Sequence, residues 1–323
     1  AEMARRAPGQ NALSTARKES DTVEIQSGFF NGFTTGTPLC ARIVNSDQHS
    51  KDYSILADKM RPGHADYAGH VRYQGFNDYR GGGHFSGRLT APLVFAGAVA
   101  KQALAQYGII VGSHILQIND IKEERFNPMG VSDAELAELH TKKFSVMDDA
   151  VGEKMQERIL QAKSELNSVG GVIEAIALHL PAGIGAPYFD SVESMLSHAL
   201  FSVPAVKGVE FGDGFGFARL TGAEANDALH YVDGKVKALT NHNGGVTGGI
   251  TNGMPFVVRV AIKPTPSIAR EQQTVSLKEQ ADTTLAIVGR HDPCIVQRAV
   301  PVIEAVVAWT LWDLFLEAKK WEK

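Results

Sequence analysis

Hydrophobic residues recur at every third or fourth position between residues 151 and 166, with polar residues between them. This spacing places the apolar side chains on one face of a helix, which Gly170 would end. A second helix is predicted over residues 93–107, with Thr90 as its cap and Pro92 in its first turn. Small residues within that second helix would allow another element to pack closely against it.

Polar residues three positions apart mark two further helix starts. Ser132 with Glu135, and Asp190 with Glu193, have the spacing of a capping box. Residues 299–316 form the most apolar run of the chain, but a proline and two carboxylates interrupt it. The run therefore falls short of the roughly 20 apolar residues of a membrane span and is expected to be a buried helix.

Two segments have the composition of β-strands. Residues 172–180 are rich in apolar and β-branched residues, and Phe256–Ile262 alternates large apolar side chains on one face around Arg259 on the other. Helices and strands are thus interspersed, which indicates a mixed α and β protein whose topology the pattern leaves open. No repeat, low-complexity segment or linker marks a boundary, so residues 1–323 are expected to form a single domain.

The composition excludes several classes of protein. Of 323 residues, 44% are hydrophobic and 21% charged, which suffices for a sizeable core and excludes global disorder. The net charge of -4 argues against nucleic-acid binding, so any bound anion must be held by local clusters. Cys40 and Cys294 match no metal or redox spacing, which favours a reducing, cytoplasmic setting with no metal site. The first residues lack the apolar core of a signal peptide.

Two short clusters combine cations with turn residues. Arg5 and Arg6 stand just before a Pro-Gly pair, and this run by itself is more typical of a solvated basic terminus than of a functional site. Arg61 stands three residues before His64, again with Pro and Gly between them. A permanent cation next to an imidazole suits an anionic substrate that needs a proton. A single histidine is more often structural, so both interpretations of His64 stay open at this point.

Glycine-rich segments are the next candidates. Residues 80–88 run into a predicted helix N-terminus, where backbone N–H groups and Arg88 favour a phosphate or carboxylate over a plain surface loop. The glycines of residues 241–253 predict close backbone approach to a flat or phosphorylated ligand. Asp292 beside Arg290 is by itself an ordinary ion pair. Phosphate-loop, zinc-protease and nucleophile-elbow motifs do not occur in the sequence, so kinase, metalloprotease and hydrolase functions have little support.

Taken in order, seven segments resemble those of chorismate synthase over nearly the whole chain. They are residues 47–53, 61–67, 78–83, 207–215, 241–253, 263–268 and 289–294. The resemblance implies a carbon–oxygen lyase of the shikimate pathway, which serves aromatic amino-acid biosynthesis. The enzyme would remove phosphate and a hydrogen from 5-enolpyruvylshikimate 3-phosphate by anti-1,4-elimination. Reduced flavin mononucleotide (FMN) would be its cofactor, with no net redox change.

The resemblance also implies residue roles. His64 would protonate or stabilise the reduced flavin, and Asp292 would be the carboxylate near its reactive nitrogen. The residues expected to bind substrate are Arg6, Arg61, Ser86, Arg88 and Arg290. The residues expected to bind the cofactor are Ser86, Ala205, Gly248, Lys263, Thr265, Ser267 and Arg290. Ala7 and Pro204 depart from the family pattern, which weakens the expected contacts at those two positions.

The implied fold is α+β, a β-α-β sandwich with long helices between two antiparallel sheets. The implied assembly is a homotetramer in the cytoplasm, without nucleic acid or membrane. The chain resembles the monofunctional type, so reduced flavin would come from an external reductant, with NADP as the expected source of electrons.

The start of the chain departs most from the family. Roughly forty residues would be missing there, including a Gly-Glu-Ser-His-Gly motif whose histidine protonates the departing phosphate. The expectation is that the native protein carries this segment. The alternative is a flavin- or anion-binding relative without catalysis, which lacks that first histidine. A flavin oxidoreductase is disfavoured because the sequence has no nicotinamide fingerprint.

Overall fold

The computed structural model describes residues 1–9, 13–14, 20–45, 55–287 and 291–321. Its helices are α1 (Glu2–Arg6), α2 (Asp66–Arg72), α3 (Thr90–Ala105), α4 (Asp133–Thr141), α5 (Asp149–Ser164), α6 (Val192–Phe201), α7 (Gly222–Ala225) and α8 (Val296–Lys319). Short 3-10 helices cover Arg80–Phe85, Gly87–Leu89, Tyr188–Asp190 and Gly214–Arg219.

The strands of the first half are β1 (Val23–Ser27), β2 (Phe29–Phe30), β3 (Phe33–Thr34), β4 (Cys40–Ile43), β5 (Ile110–Ile118), β6 (Ile121–Lys122) and β7 (Gly171–Leu178). Those of the second half are β8 (Val206–Phe211), β9 (Leu229–Val232), β10 (Lys235–Ala238), β11 (Val246–Thr247), β12 (Ile250–Thr251), β13 (Phe256–Ile262), β14 (Gln272–Ser276) and β15 (Ala281–Leu285). A five-stranded sheet in the order β6-β5-β7-β13-β8 is antiparallel throughout.

Other elements cover both faces of this sheet, which explains why the sequences of its strands are nearly continuous apolar runs. Phe256, Val258 and Val260 of β13 point into the main core with α8, as the alternation predicted. Val257 lies on the opposite face in a smaller cluster with residues of α4. Arg259 is buried on that face too, and it forms ion pairs with glutamates of β7 and β8.

Helix α8 lies at the centre of the helical layer, where it contacts α1, α3, α6 and the sheet. It is long and apolar enough to cross a membrane by composition alone, but most of it is buried inside the protein, as predicted for residues 299–316. A methyl group added to Gly97 of α3 would lie 2.2 Å from Cβ of Ala305 in α8. The small residues predicted to permit close packing therefore do so here.

Three predicted helix ends are wrong by a few residues. Thr90 is the first residue of α3, and its hydroxyl donates to the Gly87 carbonyl (2.6 Å) where a cap was expected. Helix α6 is capped by Ser191, one position after the predicted Asp190. Helix α5 ends at Ser164, and Leu166 adopts the left-handed φ of 57° that Gly170 was expected to provide. Asp190 and Ser191 have similar preferences for the capping position, which accounts for the second error. The first and third show that helix ends inferred from sequence are reliable only to within a few residues.

The arrangement confirms the predicted α+β class. Long helices α3 and α8 pack together against the five-stranded sheet. Within the described ranges, the other strands pair only as two-stranded ribbons, namely β1 with β4, β2 with β3, β9 with β10, β11 with β12, and β14 with β15. One large sheet is therefore present in this part of the chain, and the second sheet of the implied sandwich stays a prediction.

Candidate active site

A cavity of about 580 Å³ lies at the end of the sheet where β8 begins and β13 ends. These two ends meet because the strands are antiparallel, so that Val206 pairs with Ile262. The first turns of α3 and α8 reach the same point, and helix N-termini favour anions. The volume is within the roughly 300–1,000 Å³ typical of small-molecule sites. The lining residues come from six segments of the chain and lie within residues 6–8, 63–65, 84–90, 201–207, 263–267 and 291–302.

One wall carries two arginines that share a buried carboxylate. Arg6, only 3% exposed, pairs with Asp21, and Nη1 of Arg88 donates to the other oxygen of Asp21 at 2.8 Å. Arg6 Nε also donates to the hydroxyl of Thr90 at 3.0 Å. Burial lowers the pKa of Arg6, the charge of Asp21 opposes this, and an arginine stays protonated in proteins. Two cations against one carboxylate leave this wall net positive, as an anion site requires.

His64 follows the tight Pro-Gly turn after Arg61, and its ring contacts a second carboxylate, that of Asp66. Its Nδ1 is 2.6 Å from Oδ1 of Asp66. Arg61 donates to both oxygens of Asp66 at 2.7 Å, and to the hydroxyl of Ser267 at 3.3 Å. Burial would raise the pKa of Asp66, but the hydrogen bonds from Arg61 and His64 outweigh it and hold this pKa well below its usual range. Asp66 is therefore an anion under all ordinary conditions.

Asp292 lies just before α8, where the chain enters the helix. Its Oδ2 accepts a hydrogen bond from Nη1 of Arg298 at 2.6 Å, and Nε of Arg298 donates to the main-chain oxygen of Arg6 at 3.1 Å. Cys294, two residues further on, is fully buried, and burial raises its pKa to about 12. This thiol stays protonated, which excludes it as a nucleophile.

The strand end opposite carries a second group of polar side chains. Lys263 donates to the main-chain oxygen of Gly63, and burial together with the charge of Lys207 lowers its pKa. The hydroxyl of Thr265 is buried without a hydrogen-bond partner in the described part of the chain. Pro204 and Ala205 add an apolar surface beside these groups. Cations, an unsatisfied hydroxyl and an apolar wall together fit a flat ligand that carries a phosphate.

The comparisons with known proteins identify the family. A family model described as chorismate synthase matches residues 1–316. The chain belongs to the chorismate synthase family. Chorismate synthase of Pyrococcus abyssi is 46% identical over 317 residues, which are 98% of this chain and 87% of that protein. Chorismate synthase of Thermococcus gammatolerans is 47% identical over 323 residues, 100% of this chain and 88% of that protein.

The fold agrees with the sequence. A solved structure titled as a crystal structure of chorismate synthase matches with a TM-score of 0.71 and 29% identity, covering 92% of this chain and 78% of that one. Curated relatives of such length and identity show that this is an enzyme of the chorismate-forming lyase class. The recognition from seven ordered motifs is thereby confirmed.

Most residues predicted for a chorismate synthase site meet at the cavity. Those that line it are Arg6, His64, Ser86, Arg88, Ala205, Lys263, Thr265, Ser267 and Asp292. Arg61 lies behind His64, and the described lining does not include it. Gly248 lies in the turn between β11 and β12, likewise outside that lining. Arg290 falls outside the described residues. The ligand contacts of all these residues, including the nine that line the cavity, stay predictions.

Sequence reasoning missed three charged residues of this candidate site. Asp21 bridges two arginines, Arg298 holds Asp292, and Lys207 stands beside Lys263. Lys207 lay within a motif already quoted for the family, so its charge was a usable signal. Asp21 and Arg298 belong to no recognisable spacing pattern. Asp21 is distant in the chain from Arg88, and Arg298 is six positions after Asp292.

Proposed function

We propose that the chain converts 5-enolpyruvylshikimate 3-phosphate to chorismate and phosphate by anti-1,4-elimination, with reduced FMN bound in the same cavity. The main support for this proposal is that four segments distant in the sequence meet at one cavity of about 580 Å³. They contribute Arg6, His64, Arg88 and Asp292. In this reaction the carbon–oxygen bond to phosphate and one carbon–hydrogen bond break, and a new carbon–carbon double bond forms. No external oxidant is needed for that balance.

The charge distribution supports an anionic substrate. The substrate is strongly negative because it carries a phosphate and two carboxylates. The chain as a whole is net negative too, so a local group of cations must attract this substrate. Arg6 and Arg88 place two guanidiniums on one wall, and Asp21 holds both in place. Fixed guanidiniums bind phosphate and carboxylate in two-point fashion and lose little entropy when they do so. Substrate capture is therefore assigned to this wall.

The opposite wall fits the cofactor. Lys263, Thr265 and Ser267 after β13 would hold the flavin, with Ser86 and Ala205 across the cavity and Gly248 and Arg290 as further expected contacts. The unsatisfied Thr265 hydroxyl is the observation that favours a ligand here. Reduced FMN, when bound, supplies electron density transiently to the substrate and recovers it, so that no net redox change results. The protein orients both ligands and excludes water.

Two residues are assigned to proton handling. His64 presents its ring to the cavity and would hold a proton at Nε2, where the flavin is expected. Asp292, kept in place by Arg298, would assist removal of the hydrogen that leaves with the phosphate.

Release of phosphate and formation of chorismate under anaerobic conditions, with chemically reduced FMN, test this function. A non-catalytic flavin-binding relative would bind FMN and show no turnover, and that result with the native full-length protein would refute the proposal. In the cytoplasm we expect an external reductant, with NADP as the source of electrons, to supply reduced FMN. Adding chemically reduced FMN makes the assay independent of that reductant. A flavin that stays oxidised should give no product.

A homotetramer is part of the same proposal. Phe29, Phe30 and Phe33 are exposed together on the β2–β3 hairpin, and Leu229 and Tyr231 are exposed on β9. Exposed aromatic clusters of this kind on monomers commonly mark contacts between protein chains. Analytical ultracentrifugation of the native protein gives the assembly state directly, and a monomer at micromolar concentration would contradict this part.

A further inference from the structure

Asp66 makes four hydrogen bonds and lies just behind the cavity wall. Its Oδ2 accepts from the main-chain N–H of Arg61 at 3.0 Å and from Arg61 Nε at 2.7 Å. Its Oδ1 accepts from Arg61 Nη2 at 2.7 Å and faces Nδ1 of His64 at 2.6 Å. The carboxylate is 9% exposed, so its orientation is fixed by these four donors.

This geometry determines which nitrogen of His64 carries the proton. An ionised carboxylate is an acceptor only, so a nitrogen 2.6 Å from it must be a donor. Nη2 of Arg61 lies 3.0 Å from the same Nδ1, but two donors cannot bond each other, so both groups point their hydrogens at Oδ1. The neutral ring therefore has its hydrogen on Nδ1 and its lone pair on Nε2.

The other nitrogen is available to a ligand. His64 lines the cavity, and in the described residues no group is hydrogen-bonded to its Nε2. A methyl group added to Gly82 would come within 3.8 Å of Nε2, so the glycine-rich segment leaves that side of the ring open. The ring is thus anchored by one nitrogen and presents the second to the site.

We propose that Asp66 is a positioning residue of the reaction: it holds His64 in the Nδ1–H form, so that Nε2 faces the bound ligands as the atom that gains and loses the proton. This inference rests on the proposed function of His64. Asp66 itself does not reach the ligands. Its effect on catalysis passes through the tautomer and the orientation of the imidazole.

The substitution Asp66→Asn should place the proton on the wrong nitrogen. The amide has one oxygen, and the Oδ2 position already accepts two hydrogen bonds from Arg61. The Oδ1 position accepts only one, from Arg61 Nη2. The NH2 group therefore goes to the Oδ1 position, where it gives up one hydrogen bond from Arg61 instead of two and faces Nδ1 of His64 as a donor. The ring must then accept at Nδ1 and carry its hydrogen on Nε2. Asp66→Glu keeps the charge but displaces the carboxylate.

A matched pair elsewhere in the chain provides the control. His242 Nδ1 is also 2.6 Å from an aspartate oxygen, that of Asp213, and the described cavity lining includes neither residue. Asp213→Asn removes the same kind of contact without touching the site. If histidine–aspartate pairs only stabilise the fold, the two substitutions should have the same effect on turnover.

The first measurement is the nitrogen-15 NMR spectrum of the histidine side chains in the intact protein, assigned by comparison with His64→Gln. At a pH where the ring is neutral we expect Nδ1–H for His64 in the unaltered protein and Nε2–H in Asp66→Asn. An Nε2–H ring in the unaltered protein overturns the proposal, and so does an unchanged tautomer in the variant. The tautomer is measured without turnover, so this test of Asp66 remains valid even if the protein does not catalyse the proposed reaction.

The second measurement is steady-state kinetics with chemically reduced FMN. Asp66→Asn should lower kcat roughly tenfold to a thousandfold with little change in KM, within the range of a proton-transfer contribution. Asp66→Glu should recover part of the loss, and Asp213→Asn should leave kcat unchanged. A normal kcat in Asp66→Asn, or equal losses in Asp66→Asn and Asp213→Asn, overturns the proposal. Should Asp66→Asn not fold, Asp66→Glu and the tautomer of the unaltered protein decide.

Discussion

Arg298 donates from Nη1 to Oδ2 of Asp292 at 2.6 Å, across the first turn of α8. The same guanidinium donates from Nε to the main-chain oxygen of Arg6 at 3.1 Å. Arg298 therefore holds Asp292, which is assigned to hydrogen removal, in a fixed position relative to Arg6, which is assigned to substrate binding. Two parts of the reaction are coupled through a residue that need not touch the substrate.

Asp292→Asn should lower kcat strongly and leave KM nearly unchanged, because the amide keeps the size and one hydrogen bond but removes the charge used in the transition state. Steady-state kinetics with chemically reduced FMN measures both constants. Asp313 is an exposed carboxylate on α8, the helix that follows Asp292, so Asp313→Asn is the control and should behave as the unaltered protein. A normal kcat with a raised KM would move Asp292 from the catalytic residues to the scaffold.

His64→Ala should reduce turnover by roughly tenfold to a thousandfold, since it removes the proton-transfer group. The melting temperature should change little, because the ring lies at the cavity wall and not in the apolar core. His179→Ala is the control, as that ring is exposed and paired with Asp133. Unchanged turnover with a lowered melting temperature would instead support a structural histidine.

Asp21→Asn should raise KM for the substrate by roughly tenfold, because hydrogen bonds to charged groups contribute about 1.5–3 kcal/mol and two guanidiniums lose a shared anchor. Titration calorimetry of substrate binding tests this independently of turnover. Glu24→Gln, on the same segment and paired with Arg42 at the surface, should have no effect. Unaltered substrate affinity in Asp21→Asn would show that Arg6 and Arg88 are held by other contacts.

FMN should bind far more tightly when substrate is present, since both ligands are expected to lie together in one cavity lined by cations. Anaerobic calorimetry with reduced FMN, with and without substrate, measures the difference. The dephosphorylated substrate analogue is the control, and it should produce a much smaller increase because it lacks one anionic group. A flavin affinity that ignores the substrate would argue against a shared site.

Glu304 of α8 is 1% exposed and accepts from Arg5, Lys101 and Ser113, so it ties α1, α3 and β5 to the central helix. Glu304→Gln removes the buried carboxylate and leaves Glu2 as the remaining ion-pair partner of both Arg5 and Lys101. It should cost roughly 1.5–3 kcal/mol of stability at neutral pH, the range for hydrogen bonds to charged groups. Urea unfolding measures this loss. Glu317→Gln, exposed on the same helix, should cost little.

The Glu304 contribution should also depend on pH. Burial would raise the pKa of Glu304, but the charges of Lys101 and Arg5 outweigh it and lower this pKa below its usual range. Stability from such a carboxylate is complete above the unfolded pKa and is lost as pH falls from about 5 toward the folded value. The difference between the unaltered protein and Glu304→Gln should therefore shrink on acidification. A difference that is constant from pH 7 to pH 3 would contradict this assignment.

The sequence by itself determined features that depend on near neighbours. The capping box of Ser132 with Glu135 and the alternation of Phe256–Ile262 were predicted correctly, because each is decided within a few residues. The buried helix of residues 299–316 followed from composition alone. Asp190 failed as a cap because Ser191 beside it competes for the same role, and local preference cannot choose between them. The ordered motifs were enough to identify the family.

Only the tertiary structure decided how the site is held together. Arg6, Asp21 and Arg88 become neighbours through the packing of α1 and α3, and no local pattern records that Asp21 serves two arginines. Arg61 meets Asp66 within five residues of the chain, but its contact with the hydroxyl of Ser267 joins segments that are far apart in the sequence. A guanidinium can satisfy a ligand or a buried carboxylate, and which of these it meets depends on contacts between segments far apart in the chain. Composition and spacing report which charges are available, whereas their pairing is a property of the folded chain.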